Sequence, residues 1–186
     1  ECAAAAAARA EEAAALDKQR EAVAALDIKS GDYTVVVHII ECDKLKGEDF
    51  EGTSDPVVSV EVLGQKQHTA IKRRVTSCLF DHVCIFHLPS LSREDLEGAS
   101  VTVSVWDADR VSRNDLIGSF GMDALTVYQQ PDHEVYRRWV QLIDASSAAD
   151  TGSQGRVLLT CAVLGPGDRL KEHDRAEQVA DDLARL

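Results

Sequence analysis

No stretch of about 18 or more apolar residues occurs anywhere in the 186-residue chain, so nothing in it has the composition of a membrane-spanning helix. The Ala-rich start also lacks the basic leader and compact Leu-rich core of a signal peptide, and this piece is expected to be soluble. Positive charge is in short supply: 20 Lys and Arg stand against 32 Asp and Glu, for a net charge of −12. That balance argues against nucleic acid as a partner, because such binding depends on Lys and Arg neutralising phosphates. It also means that the resting chain repels anionic lipid. The five cysteines, Cys2, Cys42, Cys78, Cys84 and Cys161, form no CxxC pair. Cys42, Cys84 and Cys161 lie in or beside apolar runs, as reduced core cysteines do, which predicts a reducing, cytoplasmic setting. There is no GxSxG, no phosphate-binding loop, and no acid and nucleophile paired with a plausible base. Gly165-Pro166-Gly167 lacks the third glycine of a dinucleotide loop. The chain therefore reads as a binding module and not as an enzyme.

The length suits one domain with appendages, and no internal repeat is visible. Because the chain opens on Glu1 and not on Met, it is expected to be part of a longer polypeptide. Residues 1–30 are Ala-rich with interspersed Glu, Arg, Lys and Gln, a helix-forming linker composition with a thin apolar stripe of Ala6, Ala13, Leu16, Val23 and Leu26. Ser30-Gly31-Asp32 breaks it. From Tyr33 to Leu164 eight short strands are predicted, at 33–41, 56–63, 66–72, 83–88, 100–106, 116–122, 137–143 and 156–164, with turn signals between them. That spacing predicts an all-β fold, an eight-stranded antiparallel sandwich. Residues 169–186 read as a helix with Ala176, Val179, Ala180 and Leu183 on one face.

Five aspartates fall in two turn-rich stretches, each after a predicted strand: Asp49 and Asp55 in one, Asp107, Asp109 and Asp115 in the other. If both strands belong to one sheet, both loops can leave at the same edge and pool their carboxylates. Two carboxylates about 4 Å apart repel by roughly 4 kcal/mol at an effective dielectric near 20, so so dense a cluster calls for a cation or partial protonation. A hard cation such as Ca2+, which takes oxygen ligands from flexible loops, fits that donor set. Aspartates also favour turns for local reasons, which suffices for any one of them but not for all five in this spacing.

The strings Gly52-Thr53-Ser54-Asp55-Pro56-Val57-Val58 and Val105-Trp106-Asp107-Ala108-Asp109-Arg110-Val111-Ser112-Arg113-Asn114-Asp115-Leu116-Ile117-Gly118 resemble the two calcium-loop signatures of C2 domains, and all five acidic ligand positions are filled. Residues 131–142, then Gly155-Arg156-Val157 and Val163-Leu164-Gly165-Pro166-Gly167-Asp168, resemble the end of the second C2 domain of ferlins. The resemblance spans about residues 33 to 168. It implies a type II C2 topology for residues 31–168, with helical extensions at either end, the C-terminal one leading toward a FerI-like region. It further implies a cytoplasmic, peripheral module that binds calcium and then acidic phospholipid, in a parent protein anchored outside this segment. Ser77-Cys78-Leu79-Phe80-Asp81-His82 stands where many C2 domains carry Asn-Pro before an aromatic residue.

Phe50 and Val111 stand where the resemblance to synaptotagmin C2 domains places apolar tips that enter lipid. Burial of a Phe side chain contributes roughly 1.5–3 kcal/mol, enough for reversible attachment. Lys66, His68, Lys72 and Arg74 share one face of the predicted strand 66–72 if it is regular, and C2 domains bind phosphoinositide head groups with comparable patches. A solvated charged strand face is the plainer meaning of that cluster. Cys78, His82, Cys84 and His87 match no zinc spacing, and the stretch from Asp107 fails the EF-hand pattern, with Gly118 where the closing Glu should stand. The rival reading is a calcium-independent scaffold domain that contacts protein partners through its terminal helices.

Overall fold

The computed structural model describes residues 28–47, 52–108, 115–144 and 154–174. Its eight strands are β1 (Gly31–Asp43), β2 (Pro56–Val62), β3 (Gln65–His68), β4 (Cys78–Leu91), β5 (Ser100–Asp107), β6 (Asp115–Asp123), β7 (Glu134–Gln141) and β8 (Arg156–Leu164). Two short helices intervene, α1 (Arg93–Gly98) and α2 (Ala124–Tyr128). The strands form two four-stranded antiparallel sheets, ordered β4-β1-β8-β7 and β3-β2-β5-β6. This is the expected sandwich. The first and last strands lie side by side in the first sheet, the order of the type II topology.

Alternation of β-branched residues sets which side of each strand is inside. In β1, Tyr33, Val35, Val37 and Ile39 are buried while Thr34, Val36 and His38 face outward. Val58, Val60 and Val62 of β2 and Val101, Val103 and Val105 of β5 meet them from the second sheet in one core. Strand β8 departs from alternation, because Leu158, Thr160 and Ala162 are buried on its outer side as well as Val157, Leu159, Cys161 and Val163 on the inner. The chain after β8 helps to cover that outer side. Leu170, Lys171 and His173 line one concavity with Val36, His38, Thr160 and Ala162. His173 Nε2 lies 2.5 Å from Glu134 Oε2, its ring stacks on Tyr136 with centroids 3.6 Å apart, and Lys171 Nζ reaches Asp132 at 2.9 Å.

Several elements differ from the sequence reading, each for a local reason. Residues 169–174 form this irregular strap and not the start of a helix, held by side-chain contacts to β7 and to the turn before it; residues 175–186 lie outside the described residues, as do residues 1–27. Strand β3 ends at His68, short of the predicted 72. There Thr69 turns inward, its N–H donating to the Val58 carbonyl at 2.9 Å and its hydroxyl accepting from the Val58 N–H at 3.0 Å. Strand β4 is longer than predicted and begins at Cys78, running through the stretch that departs from the C2 consensus. Helix α1 was not foreseen, although Ser92 and Asp95 form a capping box in which Ser92 Oγ accepts from the Asp95 N–H at 3.1 Å and the Ser92 N–H donates to Asp95 Oδ2 at 3.1 Å.

Candidate metal centre

Strand order brings two of the acidic stretches together. Asp55 immediately precedes β2, Asp107 closes β5 and Asp115 opens β6, while the ladder pairs Pro56 with Asp107 and Asp107 with Asp115. All three therefore stand at one end of the second sheet. Pro56 fits the first position of its strand, where no ladder donor is required of it. The Asp55 N–H donates to Asp107 Oδ1 at 2.7 Å, and the Ala108 N–H returns a bond to the Asp55 carbonyl at 3.0 Å. Asp107 is 5% exposed, a carboxylate that the fold has taken out of solvent and given polar partners.

The loop ahead of Asp55 is drawn tight from within. Ser54 is fully buried and donates through Oγ to the Lys46 carbonyl at 3.1 Å. A Cβ on Gly47 would stand 2.2 Å from the Gly52 carbonyl oxygen, so the two limbs of the loop approach only because residue 47 is glycine.

The Asp55 carboxylate already faces a cation. Arg73 Nη1 donates to Oδ2 at 2.5 Å, and the Arg74 backbone N–H donates to Oδ1 at 2.8 Å. A guanidinium held there marks a place where positive charge is stabilised, and the oxygen donors match a hard divalent ion. Among the described residues no group of three or more His, Cys, Asp and Glu side chains lies close enough to enclose a metal. Asp49 and Asp109, with the tips Phe50 and Val111, lie outside the described residues.

The basic patch is split. Lys66 and His68 occupy β3, where Lys66 Nζ lies 5.6 Å from the Trp106 ring centroid. Beyond the early end of β3, Lys72 lies 5.9 Å from the Phe80 ring centroid, and Arg74 is drawn to Asp55 by its backbone. The four do not share one regular strand face. Alternating with them on β3, Gln65 and Gln67 reach the opposite way, donating to the His87 and Ile85 carbonyls at 2.9 and 2.6 Å and bridging to β4 of the first sheet.

Sequence reasoning missed Arg73 as the partner of Asp55, and it missed Asp43. Arg156 donates to Asp43 Oδ2 from Nε at 2.9 Å and from Nη2 at 2.7 Å, Ser77 Oγ donates to Oδ1 at 3.0 Å, and the guanidinium lies 4.4 Å from the Trp139 ring centroid. The Arg156 hydrogen bond, with smaller help from Ser77 and Lys44, holds the Asp43 carboxyl below its ordinary value against the opposing effect of burial. Asp43 and Arg156 are 113 positions apart, and no local motif announces them.

With this geometry established, comparison with known proteins places the chain. The C2 domain family profile matches residues 33–142, and the chain belongs to the C2 domain family. Within it, this domain is related to the ferlins. It is 32% identical over 153 residues to Ferlin 2 of Tetrahymena thermophila, covering 81% of this chain and 9% of that protein. It is 29% identical over 157 residues to Myoferlin of Xenopus tropicalis, covering 84% and 8%. The chain thus spans less than a tenth of the length of these curated relatives. The calcium-bound structure of the C2A and C2B domains of Extended-Synaptotagmin 2 superposes with a TM-score of 0.57 at 19% identity, covering 75% of this chain and 47% of that one, a likeness of fold. No helix among the described residues is long and apolar enough to cross a membrane.

Proposed function

We propose that this domain, residues 31–168, is a calcium-dependent phospholipid-binding module of a ferlin-like protein, serving membrane targeting, vesicle traffic or fusion. The observation that carries the reading is that the ladder sets Asp55, Asp107 and Asp115 on neighbouring strand ends at one edge of the sheet, with the Asp55 N–H donating to Asp107 Oδ1. Asp49 and Asp109 complete the five-carboxylate set by their positions in the two motifs. Bound calcium would supply positive charge and open coordination positions for lipid phosphate oxygens. Two ions would bring four positive charges to five negative ones. The chain's own part is to present these carboxylates on strand ends and to exchange the Arg73 contact for metal. It also offers Phe50 and Val111 as apolar tips, and Lys66, His68, Lys72 and Arg74 as separate contacts for acidic or phosphoinositide head groups, each contributing about 1 kcal/mol near an anionic surface. The module would act peripherally at cytoplasmic membrane faces, with its parent anchored elsewhere.

Sedimentation with phosphatidylserine vesicles, with and without calcium, tests this. The wild-type chain should pellet only with calcium, and the Asp107→Asn, Asp109→Asn variant should stay in the supernatant in both conditions. A second reading is favoured by the Arg73 contact, which neutralises Asp55 without metal: a scaffold whose acidic loops are idle and whose terminal segments bind protein partners. Equal calorimetric calcium heats from wild type and the double variant would select it.

A further inference from the structure

Four free cysteines fall among the described residues, and the ladder treats them differently. Cys42 of β1 and Cys78 of β4 are register partners. Directly opposed residues in an antiparallel pair project to the same face with Cα atoms about 4.5 or 5.5 Å apart, inside the roughly 4.4–6.8 Å that a disulfide spans. Both side chains turn to the core, Cys42 fully within it and Cys78 packed partly buried against it. Cys84 and Cys161, by contrast, flank Val37 from strands β4 and β8, two strand spacings apart at about 9.5 Å, too far to be joined.

We infer that Cys42 and Cys78 are a thiol-oxidation site at which a low-molecular-weight disulfide of the glutathione class converts the facing thiols to a reversible cross-strand disulfide. Cys78 is the thiol within reach of solvent. Burial raises its pKa while the Lys72 ammonium pulls the other way, and Cys42 is raised more strongly by burial and then by the charge of Cys78 itself. The Cys78 thiolate attacks one sulfur of oxidised glutathione, forming a mixed disulfide and releasing one glutathione thiolate. Cys42 then gives up its proton and attacks the Cys78 sulfur, expelling the second glutathione thiolate. Two electrons leave the cysteines, one glutathione disulfide becomes two thiols, and the two cysteine protons pass to the leaving thiolates.

The location gives the bond a consequence. Immediately beyond the pair, the Lys44 N–H donates to Ser77 Oγ at 3.1 Å and the Leu45 N–H to the Thr76 carbonyl at 2.8 Å. One limb runs on to Gly47 and the acidic loop, the other back to Arg73 and Arg74 at Asp55. The disulfide would fasten the roots of both at a single point.

The test is incubation of the folded chain with excess oxidised glutathione, alkylation of remaining thiols under denaturing conditions, digestion and mass spectrometry. The expected result is a Cys42–Cys78 cross-linked peptide, with Cys84 and Cys161 recovered alkylated. The oxidised form should melt about 10 °C higher than the reduced one, and the shift should reverse on reduction. Cys78→Ala should abolish both. Recovery of Cys42 and Cys78 as alkylated thiols, a persistent glutathione adduct on Cys78, or pairing of either with another cysteine would overturn the inference. These readouts come from the wild-type chain and need neither calcium nor lipid, so they stand whether or not any variant folds.

Discussion

Two aspartate–arginine pairs sit near the acidic end of the sandwich, and they are built for different purposes. Asp43 and Arg156 are register partners on β1 and β8, so both backbones are fixed by the ladder before the side chains meet. The guanidinium then uses two nitrogens on one oxygen and lies over Trp139. Asp55 and Arg73 both stand outside strands, and the Arg73 side chain is 48% exposed. The same charges in the first pair hold strands together, while in the second they form the contact that, under the proposed function, calcium would replace.

That contrast can be broken by measurement. The largest effect expected is on metal binding: Asp107→Asn with Asp109→Asn keeps an oxygen acceptor for the Asp55 N–H but removes two charges, and should weaken calcium binding more than about a hundredfold by titration calorimetry. Next, Arg156→Ala should lower unfolding stability by about 1–3 kcal/mol in urea denaturation while leaving calcium affinity unchanged, because it strips the Asp43 carboxylate of its main partner. Arg73→Gln should do the reverse. It removes an exposed pair contributing no more than about 1 kcal/mol to stability, and in the absence of lipid it should tighten calcium binding a few-fold. A change in calcium affinity with Arg156→Ala as large as that with Arg73→Gln would erase the distinction.

The smallest effect concerns pH. The Arg156 hydrogen bond holds the folded-state pKa of Asp43 below that of an ordinary aspartate, so its contribution is fully present above the ordinary value and is lost as pH falls through the folded one. Thermal melts should therefore show a shallower acid-side decline in Asp43→Asn than in wild type over this window.

Most of the sandwich was legible because alternating β-branched runs such as Tyr33 to Ile40 and Val101 to Val105 reveal both the strand and its inner face. The strand that failed, β3, failed for a reason local patterning does not carry. The Thr69 hydroxyl substitutes for a backbone acceptor and turns the chain in after His68. The composition of the strap over β7 and β8 predicts the start of a helix, whereas Glu134 and Tyr136 capture His173 from 39 and 37 positions away. At the acidic end, carboxylate spacing singled out Asp55 and Asp107, which the β2–β5 ladder sets side by side. The arginine that neutralises Asp55 and the one that anchors Asp43 are set by pairing between distant segments, which spacing does not encode.

The position of β8 in the first sheet bears on how the domain is made. It is the last strand in sequence among the described residues, yet it lies between β1 and β7 and is buried on both faces. During synthesis β1 and β4 can pair early, but one side of β1 stays an open edge and β7 has no neighbour in its sheet until the stretch ending at Leu164 has left the ribosome. A nascent chain halted before that point would expose a long hydrophobic edge to its neighbours, so the emergence of β8, and not gradual accretion, closes the window for aggregation.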